Sequence, residues 1–158
     1  MEVFRPKTHT PPDVEMGRRY FTLEQANRAL VLVRRILADV LDNYQRVLDE
    51  QEMLDVYQRK GLADSARSTQ GEIIRLVERL QSFSDELVEV GVEMKDWAAG
   101  IVDFPAWLDG REIQFCWQYG EEGVLHWHEI DDGCTGRRSI ETLPADARDV
   151  PVQAAPPQ

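Results

Sequence analysis

Apolar residues recur at Leu23, Ala26, Leu30, Val33, Leu37, Val40, Tyr44, Val47 and Leu54, and Gln51 fills the one polar slot. The steps alternate between three and four, which is a heptad seam on one side of a helix. The pattern predicts a helix over about 22–60, roughly 55 Å long at ~1.5 Å per residue. Thr22 opens it with a capping box: its hydroxyl takes the Gln25 amide and the Gln25 side chain reaches back. Gly61 is the expected stop. A second seam follows at Leu62, Ala66, Thr69, Ile73, Leu76, Leu80, Phe83, Leu87 and Val90, closed by Gly91. It predicts a helix over about 62–91, and Gly71 weakens its first turns enough to move the start toward Gln70. So short a connection makes the two helices antiparallel.

Beyond a connector at 92–100 the period changes to two. Strands are predicted at about 101–108, 111–119 and 124–130. Asp109-Gly110 is a two-residue hairpin turn, and Glu121-Glu122-Gly123 suits a three-residue loop. Turn geometry fixes register, and register fixes faces. The first turn sets Leu108 opposite Arg111, hence Asp103 opposite Cys116. The second sets Gln118 opposite His126 and Cys116 opposite His128. One face then carries Val102, Phe104, Ala106, Leu108, Ile113, Phe115, Trp117, Tyr119, Leu125 and Trp127. The other carries Asp103, Gln114, Cys116, Gln118, His126 and His128, with Ile101, Trp107 and Ile130 as apolar exceptions. The apolar face is expected to lie on the helices. The expected fold is therefore α+β: a long antiparallel helical hairpin packed against a three-stranded antiparallel β-meander, one domain over 20–140. Residues 1–19, with His9, read as a disordered leader, and 141–158, with four prolines, as a disordered tail.

A net charge of −11 opposes contact with phosphate backbones, so nucleic-acid binding is not expected. Two cysteines, Cys116 and Cys134, make no disulfide framework. Neither a signal-like apolar run nor a membrane-length one is present, which leads to the expectation of a cytoplasmic protein with reduced thiols.

Several short motifs then stand out together. They are Arg-Tyr-Phe-Thr-Leu-Glu-Gln-Ala-Asn at 19–27, Gly-Val-Glu-Met-Lys-Asp at 91–96, Val-Asp-Phe-Pro at 102–105, Asp-Gly-Arg-Glu at 109–112, Cys-Trp at 116–117, and His-Trp-His-Glu at 126–129 followed by Gly136-Arg137. In combination the chain resembles the bacterial domain-of-unknown-function family 2203 over about 19–138. The resemblance implies no activity. It implies that Asp103, Cys116, His126, His128 and Glu129 stand at positions the family pattern marks.

The chemistry these residues suggest is a divalent-metal site on the polar sheet face. His126 and His128, two apart on a strand, point the same way with Cα atoms ~6.6 Å apart, so their imidazoles can converge. Cys116 adds a thiolate and Asp103 a carboxylate. Two nitrogens, a sulfur and an oxygen suit zinc, and iron less well. The bland alternative is a set of semi-buried polar residues hydrogen-bonded under the 131–138 loop. A third is Cys116 as nucleophile with His128 as base, for which no oxyanion hole is identifiable. Glu129 falls on the apolar face and needs a cation, for which Arg28, Arg34 and Arg35 of the first helix are the expected partners. The tryptophans read as core and rim. Two helices and one small sheet leave apolar surface uncovered, which predicts self-association through the hairpin. The competing function is thus a non-enzymatic interaction or assembly module with no metal. No substrate, catalytic residue or pathway follows from the residues.

Overall fold

The computed structural model describes residues 19–144, so the expected leader except Arg19, with His9, and all but the start of the expected tail lie outside the described residues. Helix α1 spans Leu23–Arg59 and helix α2 spans Ala63–Val90. The capping box forms as the sequence requires: Gln25 N donates to Thr22 Oγ1 at 3.1 Å, and Thr22 N donates to Gln25 Oε1 at 2.9 Å. Gly91 ends α2 with φ 95°, a left-handed conformation that lets Val92 N reach the Leu87 carbonyl at 3.0 Å. Gly71 does not delay the second helix, which runs unbroken from Ala63. The weak propensity there is overridden by packing, since Ala66 and Thr69 of that first stretch are buried. Ala26, Leu30, Val33, Leu37, Val40, Tyr44 and Val47 are buried along α1, and Leu76, Leu80 and Leu87 along α2. These are seam positions, and they belong to the one core that the helices share with the sheet.

The sheet has five strands rather than three. They are β1 at Glu93–Asp96, β2 at Ile101–Leu108, β3 at Arg111–Gln118, β4 at His126–Glu129 and β5 at Arg138–Ser139, in that spatial order. All neighbours run antiparallel. The two extra strands are short edge elements with no alternation long enough to read. β1 pairs Glu93 with Asp103 and Met94 with Val102 before a bulge, and β5 pairs only two residues with β4.

The β2–β3 register is the one the Asp-Gly turn dictates, with Leu108 opposite Arg111 and Asp103 opposite Cys116. Asp109 and Gly110 both take positive φ, 48° and 78°, as a two-residue turn with the right twist demands. The β3–β4 register differs from expectation by two residues: Cys116 faces His126, and Gln114 faces His128. The cause is the loop. Glu121 folds back on the end of β3, its N–H on the Gln118 carbonyl at 3.0 Å and its Oε1 accepting the Gln118 N–H at 2.8 Å. Helix α1 then holds the outer part of the loop: Asn27 Oδ1 accepts from Val124 N at 2.8 Å, and Arg34 donates to the Glu122 carbonyl. So tethered, the loop cannot be a three-residue turn, and β4 starts only at His126. A slip of two preserves parity, so the histidines keep their face. Tyr119 and Leu125, expected on the apolar face, lie outside the ladder and are exposed, while Val124 is buried instead.

One continuous core joins the apolar sheet face to the hairpin. Phe104 meets Phe21 edge-to-face at 5.3 Å, and the Arg34 guanidinium lies 5.9 Å over the Trp117 ring.

Candidate metal centre

The opposite sheet face is also dry, and it is polar. Asp103 is 1 % exposed, Cys116 0 %, His128 2 % and Gln114 4 %. Strand alternation puts them there, and the segment after β4 covers them. That segment turns back through Gly133, with φ 62°, into a short 3-10 turn at Cys134–Gly136. The turn lowers Cys134 onto the face. Asp103, Cys116, His128 and Cys134 consequently offer ligand atoms that all lie within 4.8 Å of one another.

Three of the four expected ligands, Asp103, Cys116 and His128, are thus brought together. His126 is not among them. Its Nδ1 lies 3.1 Å from Glu121 Oε2, outside hydrogen-bond geometry, and it sits beside the cluster rather than in it. Cys134 takes the fourth place. The sequence pattern alone places Cys134 in a polar loop. The available signal was that it is the chain's second and last cysteine, set between glycines six residues after His128.

The hydrogen bonds of His128 fix its chemistry. Nδ1 lies 2.7 Å from the Glu129 carbonyl oxygen. A carbonyl only accepts, so Nδ1 carries a proton and Nε2 is the nitrogen that turns inward. Nε2 lies 3.0 Å from Asp103 Oδ2 and 3.7 Å from Cys134 Sγ. The other carboxylate oxygen, Oδ1, accepts from Cys134 Sγ at 3.4 Å. A lone pair facing a carboxylate across 3.0 Å requires something positive between them, either a proton on Nε2 or a cation. A backbone-anchored Nδ1–H with Nε2 free to ligate is also how metal-binding histidines are oriented.

Burial pushes both thiols up from their ordinary range. Desolvation is the main cause at Cys116, opposed by hydrogen bonds from Cys134 and Arg137. It is also the main cause at Cys134, where the Cys116 thiol and the Asp103 charge add to it. Raised thiols are the reverse of an activated nucleophile, and Cys116 is fully enclosed. Arg137 donates to Glu121 Oε1 at 2.7 Å and places a guanidinium behind Cys116.

Glu129 pairs with Arg111, not with Arg28, Arg34 or Arg35. Arg111 Nη2 donates to Oε1 at 2.7 Å, and Nε to Oε2 at 3.0 Å. Glu129 stands opposite Ile113 at the open end of the sheet, where a strand neighbour is nearer than the helix. That hydrogen-bonded pairing with Arg111 holds its carboxyl below the usual range. Arg138 lies 5.2 Å over the Trp127 ring and reaches Asp132 at 3.5 Å, so the Arg137–Arg138 pair is spent on internal partners.

A cleft of about 660 Å³ opens above the group, with Asp103, His128 and Cys134 in its floor and Glu93, Asp96 and Glu112 among its walls.

The family model described as an uncharacterized conserved protein, DUF2203, matches residues 19–140. The chain belongs to the DUF2203 family. The match takes in both helices and every strand of the sheet, so the polar face and its loop are parts of the DUF2203 domain and not additions to it. No curated protein and no solved structure gives a match. Among the described residues, no helix is long and apolar enough to cross a membrane.

Proposed function

We propose that this DUF2203 domain binds one divalent transition-metal ion through Asp103, Cys116, His128 and Cys134. The observation that carries the reading is the convergence of four donors, from β2, β3, β4 and the following turn, within 4.8 Å. Two sulfurs, one nitrogen and one oxygen suit zinc best, with iron second. His126 is assigned to the outer ring, with Glu121.

Four protein ligands complete a tetrahedral sphere, which is the arrangement of a structural metal. In that role the ion ties the three central strands to the segment that covers them. Arg137 offsets the negative charge of two thiolates and a carboxylate around a doubly charged ion. Elemental analysis of the purified protein tests the reading. About one zinc or iron per chain is expected, lost in His128→Ala and in Cys134→Ala. A metal-free protein that takes up none on addition would end it, leaving a buried Asp103–His128 pair.

The competing reading is an assembly module that works through its hairpin. Val31, Leu32, Ile74 and Val88 are large apolar residues exposed on the helices, and a second copy is the natural cover. Sedimentation decides it, because a monomer at micromolar concentration excludes self-association as the working principle.

A further inference from the structure

The two sulfurs of the cluster differ in access. Cys116 is sealed, at 0 % exposure, in the middle of β3, whereas Cys134 is half-buried and forms part of the cleft floor. The two lie 18 residues apart in sequence, and they are the chain's only cysteines. Their sulfurs nevertheless sit within 4.8 Å. A disulfide needs ~2.05 Å. The remaining gap is small, and the partner free to close it is the one on a turn. Cys134 begins a three-residue 3-10 turn directly after Gly133 and outside every strand. Cys116 is held on both sides by β2 and β4.

We infer that Cys116 and Cys134 form a reversible two-electron redox pair, oxidised by peroxide entering through the cleft, whose disulfide and whose bound metal exclude each other. The inference rests on the metal reading and supplies its regulation. The metal keeps both sulfurs as thiolates, the form that reacts. The Cys134 thiolate attacks one peroxide oxygen and breaks the O–O bond. The second oxygen leaves as hydroxide, and Cys134 becomes a sulfenic acid. The Cys116 thiolate then attacks Cys134 Sγ and displaces a second hydroxide, which forms the S–S bond. Two thiolates have lost two electrons, and one peroxide has taken them. An ion that had four ligands keeps only Asp103 and His128, and leaves. A dithiol reductant reverses the sequence by thiol–disulfide exchange.

The test treats the full-length zinc-loaded protein with hydrogen peroxide. A chromophoric chelator reports released zinc, and peptide mapping under non-reducing conditions reports the state of each cysteine. One zinc released per Cys116–Cys134 disulfide is expected, with both recovered on adding dithiothreitol and zinc. Cys134→Ser should lose peroxide-driven disulfide formation altogether. Zinc release accompanied by Cys134 sulfinic acid and an unpaired Cys116 thiol would overturn the inference, and so would retention of both thiols and zinc under excess peroxide. Running the same mapping on metal-free protein separates the two ideas. If the protein reduced by dithiothreitol takes up no zinc and peroxide then forms the Cys116–Cys134 disulfide, the metal site is refuted and the redox pair stands without it.

Discussion

The two faces of β3 are equally dry and were made dry by different means. Phe115 and Trp117 point one way, at 2 % and 0 % exposure; Gln114 and Cys116 point the other, at 4 % and 0 %. The first pair is covered by α1 and α2 and joins a core of some twenty apolar residues. The second lies on the face of Asp103 and His128, where Gln114 donates to Glu112 and Cys116 joins the group that Cys134 completes from the following turn. Apolar burial is non-directional, so each aromatic on the helix side gains from any neighbour of the right volume. Polar burial is directional, and each group on the other side gains only if a specific partner stands in the right place. One face therefore supplies stability and the other supplies specificity. They should fail differently when perturbed.

The largest expected effect is on the apolar side. Phe104→Ala opens a cavity beneath Phe21 and should cost ~3–5 kcal/mol. Urea denaturation would show it equally with and without metal. A loss that depends on metal would mean that the two faces are not separable. Next comes the ion itself. If zinc holds the polar face, a chelator should lower stability by about 2.7 kcal/mol relative to protein with free zinc at a hundred times its Kd. His128→Ala should make urea midpoints with and without chelator coincide. A third, smaller effect should come from Arg137→Met, which removes the guanidinium behind Cys116 while keeping bulk. Groups that orient and balance ligands without touching the ion typically change affinity 10–100-fold, or ~1.4–2.7 kcal/mol. Competition with a chromophoric chelator measures it, and an unchanged Kd would show that Arg137 serves only Glu121.

How much of this was readable in the chain follows the same division. The heptads, the capping box and the Asp-Gly turn are local patterns, and they gave α1, α2 and the β2–β3 hairpin nearly to the residue. Asp103 and Cys116 came with the hairpin, because its register is set by two residues. What escaped was set by distant contacts. The grip of Asn27 and Arg34 on the 121–124 loop shifts β4 by two residues, and the His126 ring lies against Glu121 of that loop although the register sets it opposite Cys116. The descent of Cys134 depends on a turn that has no periodicity. The face of Glu129 alone points to a partner on the helix, whereas a neighbour along the sheet, Arg111, pairs with it at 2.7 Å. β1 and β5 are too short to alternate.

The raised thiols give the comparison a pH axis. Both start from an ordinary value of 9.0 and are raised in the fold, so above that value the unfolded chain binds fewer thiol protons than the native one. Stability of the metal-free protein should therefore be fully present below about pH 9 and fall as the pH climbs toward the raised native values. Metal binding displaces those protons, so affinity should rise with pH through the neutral range. Thermal melts of the loaded and chelated protein between pH 7 and pH 10 check both signs. A chelated protein that gains stability with alkali would mean that the thiols are not buried as described.

The smallest effect belongs to His126, and it is the sharpest check on the ligand set. A ligand should be indispensable, and an outer neighbour should not. His126 faces Cys116 across the strands, yet its ring lies against Glu121 at the rim, partly open to solvent. Its Nδ1 has no hydrogen-bond partner among the described residues, so removing the ring breaks no hydrogen bond at that atom. His126→Ala should keep its metal, bind it within a few-fold of the parent chain, and unfold at nearly the same urea concentration. Cys134→Ala, beyond the end of β4 in the following turn, is the instructive partner: it should lose the ion although it lies outside the sheet. Should elemental analysis find the reverse, with the His126 variant metal-free and the Cys134 variant loaded, then the ion sits between the two histidines on the strands instead of under the turn.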